Sequence, residues 1–372
     1  MIASDVVFVT VSTRNYVHRA YALMASVGQL VPDAMRLICC ADGELPGLES
    51  VGEDIHHVNA TSLGIERYAQ LVFCLNPTAI CCLLKPYAVA KALEIPNARR
   101  VIYLDNDVAL YDSPVELLQA LQSSDFVLTP HHLKPLPPNS CPSEAGLCGY
   151  GTYNGGMFGV SRSCESLQFL DWWSFWMLDP RHLNRMTGYD QVWLNYVPVY
   201  CPDFAILRKP GYNVAFWNLV ERNLDISAGR FHCGNDPLVA FHFSHFDEVT
   251  HEDILPDDRV SNCPRGQATR SLASNVAMKW AQYRRHSTSD YAFSNWDDGT
   301  AIGDEERERA RNVWDELDPM EDPWTDSGAD SRNGRFSTFK NQPVPTGIKS
   351  QALRSLDRLL DVSPRKVIRK FQ

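Results

Sequence analysis

The sequence lacks the features that mark several special classes of protein. It has no excess of basic residues, because 35 Lys and Arg stand against 45 Asp and Glu, giving a formal net charge of −10 at pH 7. A dedicated nucleic-acid-binding domain is usually basic, so this balance argues against nucleic acid as a partner. Charged residues make up 22% and hydrophobic residues 44% of the chain, which excludes wholesale disorder, collagen and coiled coil.

The sequence also shows no pattern typical of an export signal or of a membrane-spanning helix. No basic residue precedes Arg14, whereas a secretory signal peptide begins with a positively charged segment. The most apolar stretch, residues 70–84, is interrupted by Asn76 and Pro77 and falls short of the roughly 20 apolar residues that cross a membrane. We therefore expect a cytoplasmic protein.

The cysteines do not form a recognisable framework. The chain has 11 cysteines, an odd number, and no Cys-x-x-Cys pair. This pattern suggests neither a zinc ribbon nor a set of disulfides. We expect reduced, buried thiols, as in a cytosolic protein.

Strand-like and helix-like patterns alternate along the first hundred residues. Three short apolar runs are typical of strands covered on both faces: residues 6–11, 35–40 and 100–104. Residues 16–30 and a stretch that includes 83–93 read as helices. The alternation predicts an α/β fold with a mixed, mainly parallel sheet and helices on both faces. Ligands of such sheets bind beyond the carboxyl ends of the strands, which directs attention to the residues after Val11 and Leu104.

Later segments continue this pattern. Further strands are predicted at residues 125–129 and 239–243, and the segment 153–160 contains two adjacent glycines that a simple turn would explain. The long loop at 131–151 is rich in Pro, Ser and Gly, and a loop of that length is usually a lid or a substrate-binding element. The aromatic helix at 167–176 carries three tryptophans, which we interpret as core packing rather than as a sugar-binding platform.

The strongest chemical signal is an acidic pair at the end of a predicted buried strand. Asp105 and Asp107 follow the run Val-Ile-Tyr-Leu and are two residues apart. Two carboxylates at one strand end form a hard-oxygen site for Mg²⁺ or Mn²⁺, and such ions usually share their ligands with substrate phosphates. The alternative interpretation is an exposed acidic turn without a metal.

Together with its neighbours, this pair resembles the motifs of the GT-A nucleotide-sugar glycosyltransferases. The subgroup that it resembles is the retaining one that contains glycogenin and the bacterial lipopolysaccharide galactosyltransferases. The landmarks occur in the family's order: Leu84-Lys85-Pro86-Tyr87, Val101-Ile102-Tyr103-Leu104-Asp105-Asn106-Asp107, Tyr153-Asn154-Gly155-Gly156, Tyr189-Asp190-Gln191 and Phe241-His242-Phe243-Ser244. The resemblance implies a GT-A, Rossmann-like fold and transfer of a hexose from a nucleoside-diphosphate sugar.

The resemblance also implies a set of metal ligands. Asp105, Asp107 and His242 would hold Mn²⁺ or Mg²⁺, and a neutral imidazole is a reasonable ligand for Mn²⁺. The alternative for His242 is a buried, hydrogen-bonded histidine. The sequence has His245 where the family usually has glycine, so which histidine binds the metal stays open, and His245 could instead contact a phosphate.

Donor-binding and catalytic positions follow from the same resemblance. Thr10, Val11 and Ser12 would surround the base and ribose, and Lys85 and Asn106 would lie near the donor. Asn154, Gly155 and Gly156 would form the element beneath the sugar ring. Asp190 would accept sugar hydroxyls, and the amide oxygen of Gln191 would stabilise an oxocarbenium-like state. The alternative for Asp190 is a helix N-cap, since it precedes an apolar run.

We expect three regions along the chain. Residues 1–255 would form the catalytic domain, 256–320 an accessory helical and loop region packed on it, and 321–372 a mobile polar linker with a basic amphipathic segment. Within the last region, residues 347–372 hold seven Lys or Arg. This basic segment fits either a helix docked on the domain or a peripheral contact with the anionic inner face of a membrane.

The predicted activity is metal-dependent transfer from a UDP-sugar to a glycan or lipid-linked acceptor, with retention, in cell-surface polysaccharide or glycoconjugate synthesis. Two alternatives remain. One is a non-catalytic protein that binds sugar nucleotides on a transferase fold, and tight UDP binding without turnover would favour it. The other is a phosphohydrolase that uses Asp105 as its nucleophile, and release of phosphate from simple phosphomonoesters would favour it.

Overall fold

The computed structural model describes residues 4–52, 54–136, 144–185, 189–250, 252–255, 265–296, 299–317, 319 and 323–324. Within these ranges the strands are β1 (Val6–Ser12), β2 (Met35–Cys40), β3 (Ile55–Asn59), β4 (Arg100–Leu104), β5 (Val108–Leu110), β6 (Phe126–Pro130), β7 (Tyr153–Ser161), β8 (Phe204–Ile206), β9 (Leu224–Ser227), β10 (Arg230–Cys233), β11 (Asp236–Pro237) and β12 (Ala240–His242). The α-helices are α1 (Val17–Leu30), α2 (Tyr68–Cys74), α3 (Pro77–Leu93), α4 (Val115–Ala120), α5 (Glu144–Tyr150), α6 (Cys164–Met177), α7 (Pro180–Arg185), α8 (Val197–Tyr200), α9 (Leu219–Arg222), α10 (Gln267–Ala281) and α11 (Asp304–Asn312).

A seven-stranded sheet lies at the centre, in the order β3-β2-β1-β4-β7-β6-β8. The pairs β1–β2, β1–β4, β2–β3 and β6–β8 are parallel, whereas β4–β7 and β6–β7 are antiparallel. This topology confirms the predicted mixed, mainly parallel sheet.

Strand β1 shows why helices cover both faces of the sheet. All seven of its residues are buried, and successive side chains of a strand point to opposite faces. Val7 and Val9 join the hydrophobic cluster that contains much of α3, and Val6 and Phe8 join the cluster that contains much of α1. The continuous apolar run of β1 therefore reflects burial on two sides.

The apolar stretch at residues 70–84 folds as two helices rather than one. Helix α2 ends at Cys74, and Asn76 begins the next helix because its side-chain oxygen accepts a hydrogen bond from the Ala79 N–H at 2.8 Å. Pro77 occupies the first turn of α3, where its missing N–H costs nothing. Among the described residues, no helix combines the length and the apolar content that a membrane crossing requires.

A second, two-stranded sheet brings distant segments together. Strand β12 pairs antiparallel with β5, and the register places His242 opposite Val108, next to Asp107. The predicted strand at 239–243 is thus present as β12. Strands β9, β10 and β11 form a small antiparallel sheet that the sequence analysis did not predict.

The region after residue 264 packs against the α/β core. Helix α10 contributes Leu272, Val276 and Trp280 to a cluster shared with Phe241 and Phe243. Ala310 of α11 belongs to the cluster on the α3 side of the central sheet. The proposed boundaries at 255 and 320 stay a prediction, and the basic segment 347–372 lies outside the described residues.

Two expectations need correction. The loop predicted at 131–151 contains helix α5, so the segment has secondary structure of its own. Cys148 and Cys164 are exposed, although the other described cysteines are buried or half-buried, as expected. All nine of the described cysteines are free, and their reduced state stays a prediction.

The aromatic helix packs largely as predicted. Trp173 is fully buried, and Trp172 and Trp176 each lie against the indole ring of Trp193. Most of this tryptophan surface contributes to packing of α6 rather than to an open platform.

Candidate active site

The candidate site lies where the strand order of the central sheet reverses. Strand β1 has β2 on one side and β4 on the other, so the carboxyl ends of β1 and β4 flank the crevice in which open α/β sheets bind ligands. Ser12 ends β1 and Leu104 ends β4. Asn106 connects the two ends, because its Nδ2 donates to Ser12 Oγ at 3.1 Å.

Asp105, Asp107 and His242 converge at this crevice. Their potential ligand atoms all lie within 4.8 Å of one another. The imidazole Nε2 of His242 is 3.1 Å from Asp107 Oδ1 and 3.9 Å from Asp105 Oδ2. The β5–β12 pairing and the hydrogen bond from the Phe243 N–H to the Asp107 carbonyl, 2.8 Å, fix this arrangement. The structure thus brings together the three predicted metal ligands.

The spacing and chemistry of these three residues fit a divalent cation. Oxygen ligands at about 2.1 Å from a six-coordinate ion are about 3 Å apart when adjacent and about 4.2 Å apart when opposite. The observed separations are compatible with that geometry after small side-chain adjustments. Two carboxylates and an imidazole are also a donor set that Mn²⁺ accepts. These residues would therefore hold a dication without rearrangement of the backbone.

The charges at the acidic pair are strongly coupled. Burial raises the pKa of Asp105, although the positive charges of Lys85 and His242 oppose the rise. Burial also opposes ionisation of Asp107, but the charge and hydrogen bond of His242 outweigh it and bring the pKa of Asp107 to about 2. For His242, burial lowers the pKa, but the charge and hydrogen bond of Asp107 outweigh burial and raise it above its usual value. A proton on His242 supplies positive charge where a dication would supply it, so the two compete for the imidazole.

Lys85 is a buried lysine that contacts both Asp105 and Asp190. It lies on α3, is only 3% exposed, and places Nζ 2.9 Å from Asp105 Oδ1 and 3.0 Å from Asp190 Oδ2. The same ammonium donates to the Gly155 carbonyl at 3.0 Å. Burial alone would lower the pKa of Lys85, but the two carboxylates outweigh it and raise the pKa well above its usual value. Lys85 is therefore a buried cation that joins three predicted site elements.

The Asn154-Gly155-Gly156 segment at the start of β7 packs tightly against the site. A Cβ on Gly156 would lie 2.4 Å from Cε1 of His242, and a Cβ on Gly155 would lie 2.4 Å from Oδ2 of Asp190. Both contacts are closer than real Cβ atoms make, so these positions need glycine for close approach. Both glycines lie within strand β7 and not in a turn.

Gln191 and Asn154 fix this segment. Gln191 Oε1 accepts hydrogen bonds from the Gly155 N–H at 3.1 Å and from Asn154 Nδ2 at 3.2 Å. The amide oxygen predicted to face the anomeric carbon is thus occupied in this structure, and its catalytic role stays a prediction. Asn154 Oδ1 accepts from the Gly156 N–H and from Asn213 Nδ2.

Asp190 is buried and does not cap a helix. Its side chain makes no capping hydrogen bond, and it points instead to Lys85. The preceding residue, Tyr189, has a φ of 44°, a left-handed conformation that costs free energy in a residue with a side chain. Such backbone strain clusters at functional sites, and here it turns Asp190 towards the glycine segment.

A cavity of about 700 Å³ opens in front of these residues. Six of the residues predicted from the sequence line it: Val11, Lys85, Asp105, Asn106, Asp107 and His245. Thr10 and Ser12 are fully buried, so they support the cavity floor without exposed side chains.

His245 has a φ of 61°, the left-handed region that favours glycine. His242, not His245, is the histidine grouped with the two carboxylates.

Sequence reasoning missed His131, which contacts Asn154, and a group of polar residues that line the cavity. His131 contacts Asn154 through Nε2 at 3.2 Å, and burial lowers its pKa to about 4, so it is a neutral partner. Arg19, Glu248 and Arg284 line the same cavity as the acidic pair. No local motif marks these three residues, because they lie on segments far apart in the sequence.

Comparisons with known proteins show distant likenesses. No protein-family model matches the chain. The uncharacterized protein YfnF of Bacillus subtilis (strain 168) is 23% identical over 257 residues, which cover 66% of this chain and 84% of YfnF. The uncharacterized protein YfnD of the same organism is 22% identical over 179 residues, covering 47% of this chain and 56% of YfnD.

Among solved structures, the galactosyltransferase LgtC in complex with donor and acceptor sugar analogs has a TM-score of 0.44 at 13% identity, covering 76% of this chain and 97% of LgtC. The glycosyltransferase GlyE of Streptococcus pneumoniae TIGR4 has a TM-score of 0.40 at 14% identity, covering 75% of this chain and 62% of GlyE. Both are glycosyltransferases, the class of enzyme to which the sequence motifs show a resemblance.

Proposed function

We propose that the protein is a metal-dependent glycosyltransferase that moves a hexose from a nucleoside-diphosphate sugar, a UDP-sugar, to a glycan or lipid-linked acceptor. The observation that carries this proposal is the group of Asp105, Asp107 and His242, which lies at the strand-order reversal beside a cavity of about 700 Å³. A hard-ligand metal site at this position is the arrangement expected for binding a phosphate-bearing ligand.

The size of the cavity supports a nucleotide-sugar ligand. Small-molecule sites usually enclose roughly 300–1,000 Å³, so the observed volume suits a ligand of this size. Val11 and Asn106, at the ends of β1 and β4, would lie near the nucleoside, and Asp105 and Asp107 near the diphosphate. The sugar would then lie towards Gly155 and Asp190.

The chemistry of the site suits departure of a diphosphate. A dication held by Asp105, Asp107 and His242 would stabilise the negative charge that develops on the leaving group. Lys85 favours the ionised form of Asp105 and holds it in place, since its ammonium donates to that carboxylate and to the Gly155 carbonyl. Gln191 holds the glycine segment in the position that lets a sugar approach closely.

We further propose that the anomeric configuration is retained and that the acceptor attacks from the face on which the diphosphate leaves. Asp190 would accept sugar hydroxyls in that arrangement. A role in cell-surface polysaccharide or glycoconjugate synthesis, at the cytoplasmic face of the membrane, would suit a lipid-linked acceptor. The basic segment 347–372 would provide the peripheral contact with that membrane.

A nucleotide-sugar panel tests the proposed function. The wild-type protein is incubated with UDP-glucose, UDP-galactose, UDP-N-acetylglucosamine and GDP-mannose, with Mn²⁺ or with EDTA, and release of UDP or GDP is measured. We expect slow donor hydrolysis with one sugar nucleotide, only when Mn²⁺ is present. Release of phosphate from p-nitrophenyl phosphate without turnover of any sugar nucleotide would contradict the proposal and support a phosphohydrolase. Tight UDP binding without turnover of any donor would support a non-catalytic binding protein.

A further inference from the structure

The cavity that the acidic pair lines also has a positively charged wall. Two arginines line the cavity together with Glu248. Arg19 lies in the first turn of α1, and Arg284 lies just after α10. We call these three residues and His18 the arginine wall. Nothing in the proposed metal chemistry requires this wall, so its function needs a separate explanation.

Glu248 organises the arginine wall. Its Oε2 accepts a hydrogen bond from Arg19 Nη2 at 2.7 Å, and its Oε1 accepts one from Arg284 Nη1 at 2.6 Å. The carboxylate is only 10% exposed. Burial raises the pKa of Glu248, but the hydrogen bond from His18 and the charge of Arg19 outweigh it and bring the pKa to about 2. Glu248 is therefore ionised and holds the two guanidinium groups side by side.

His18 completes the network as a neutral partner. Ser287 Oγ accepts a hydrogen bond from the His18 backbone N–H at 3.2 Å, so its own hydrogen can be donated to His18 Nδ1 at 2.7 Å. His18 Nε2 lies 2.9 Å from Glu248 Oε1 and 2.8 Å from Arg284 Nη1, so it contacts both the carboxylate and one guanidinium group. Burial lowers the pKa of His18, which favours this neutral form. Two arginines, one ionised glutamate and a neutral histidine leave the wall with a net charge of about +1.

Both arginines retain unused donors. Among the described residues, Arg19 Nη1 and the Nε and Nη2 atoms of Arg284 have no hydrogen-bond acceptor. The Arg284 side chain is 52% exposed and Arg19 is 12% exposed. The guanidinium of Arg19 lies 4.2 Å from the ring centroid of Trp280 and 4.8 Å from that of Tyr16, so its position is fixed by packing. The wall therefore presents oriented N–H groups that lack a partner.

The two walls are close enough to act on one ligand. The same cavity is lined by Asp105, Asp107, Arg19 and Arg284. The charge of Arg19 is also one of the influences that lower the pKa of Asp107. A ligand that reached both walls would need oxygens for a dication on one side and oxygens for guanidinium groups on the other.

We propose that Arg19 and Arg284 bind phosphate oxygens of the nucleoside diphosphate, opposite the oxygens that face the Asp105–Asp107 site, and that Glu248 positions both arginines for this contact. The proposal rests on the proposed function, because it assigns a second set of contacts to the same donor. A diphosphate presents several charged oxygens, and guanidinium groups bind such oxygens with short, charge-assisted hydrogen bonds. A wall with a net charge of about +1 would complement the negative charge left on a metal-bound diphosphate.

Binding of UDP and of uridine tests this inference. Both ligands are titrated by calorimetry into wild-type protein and the Arg284→Gln variant, at constant Mn²⁺ concentration and low salt. Arg284 is the better target because it is half exposed, whereas Arg19 also packs on Trp280. We expect Arg284→Gln to weaken UDP binding about tenfold, the effect of losing one charge-assisted hydrogen bond, and to leave uridine binding unchanged. Arg284→Lys should recover part of the UDP affinity.

Arg285→Gln is the matched control, since Arg285 is the neighbouring, exposed arginine and does not line the cavity. It should bind UDP as the wild type does. Equal UDP affinity of wild type and Arg284→Gln would overturn this inference alone, and so would an equal loss of UDP and uridine affinity. Absence of UDP binding by the wild type with Mn²⁺ would overturn both the inference and the proposed function.

Discussion

The cavity has an acidic wall, formed by Asp105 and Asp107, and the arginine wall. These two walls differ in which parts of the chain form them. Asp105 and Asp107 are two residues apart and are joined to His242 by one strand pairing. Arg19, Glu248 and Arg284 come from three segments that are separated by 229 and 36 residues. The acidic pair is thus encoded by one short sequence motif, whereas the residues of the arginine wall come together only through tertiary contacts. A search for motifs can find the first wall and overlooks the second.

Lys85 and Arg284, the most contrasting charged residues of the two walls, differ in burial, and this difference decides what their substitution changes. The side chain of Lys85, which contacts Asp105, is 4% exposed, whereas the side chain of Arg284 is 52% exposed. Removing a buried charge destabilises the fold, but removing a half-exposed charge mainly weakens a ligand contact. Substitution of Lys85 should therefore lower stability strongly, and substitution of Arg284 should lower it more mildly.

The largest effect is expected from Asp107→Asn. Loss of one carboxylate from the proposed metal site should lower kcat/KM for the donor by about 10³-fold or more, because the leaving diphosphate loses charge stabilisation. Release of UDP at saturating Mn²⁺ measures the effect, and circular dichroism checks the fold. Asp112→Asn, an exposed carboxylate outside the cavity, should have wild-type activity. Wild-type turnover by Asp107→Asn would contradict the metal role.

Lys85→Met should cause the next largest change. It leaves Asp105 and Asp190 buried without their shared cation, which should lower the free energy of unfolding by about 3 kcal/mol. Urea denaturation measures this loss. Lys91→Met, on the same helix, removes an exposed ion pair with Glu94 and should cost less than about 0.5 kcal/mol. Similar losses for the two variants would contradict the structural role of Lys85.

Affinity for Mn²⁺ should depend on pH through His242. A protonated imidazole cannot bind a metal, and the pKa of His242 is raised, so the affinity should increase with pH until the pH exceeds that pKa. Below it, the increase should be about tenfold per pH unit. Asp107 stays ionised throughout, because its pKa is about 2.

Electron paramagnetic resonance of free Mn²⁺ between pH 5.5 and 8.5 would measure this dependence. His242→Asn retains a possible ligand atom but has no titrating group, so its weaker affinity should vary little with pH. A wild-type affinity that does not change across this range would show that His242 is not a ligand.

Ser287→Ala should have the smallest effect. It removes the hydroxyl that fixes His18 and should cost about 1 kcal/mol of stability, the usual contribution of one hydrogen bond. Thermal denaturation measures it, with the exposed Ser289→Ala as the control. A loss of 3 kcal/mol would indicate that the arginine wall supports the fold as strongly as Lys85 does, and would remove the contrast between the walls.

The parts that the sequence predicted well are those with a short-range signal. The continuous apolar run of β1 and its neighbours indicated a doubly covered sheet, and Asp105 and Asp107 followed from their position after β4. The ion pairs of Lys85 with Asp105 and Asp190 were not predicted, because they depend on how α3 packs beside the end of β4 and beside the segment that carries Asp190. Asp190 was also open to interpretation as a helix cap, and only its side-chain direction excludes that.

Long-range contacts explain the remaining gaps. His18 contacts Ser287 across 269 residues, and neither residue carries a pattern that indicates the other. Strands β9, β10 and β11 are two to four residues long, too short for a clear alternation of apolar and polar residues. Neither feature could be predicted from local periodicity.

A crystal structure with Mn²⁺ and UDP tests the central claim most directly. We predict an anomalous Mn²⁺ peak about 2.2 Å from oxygen atoms of Asp105 and Asp107 and from a ring nitrogen of His242, with a diphosphate oxygen completing the contact. UDP bound in the cavity with no Mn²⁺ between these side chains, or Mn²⁺ bound elsewhere, would contradict the account.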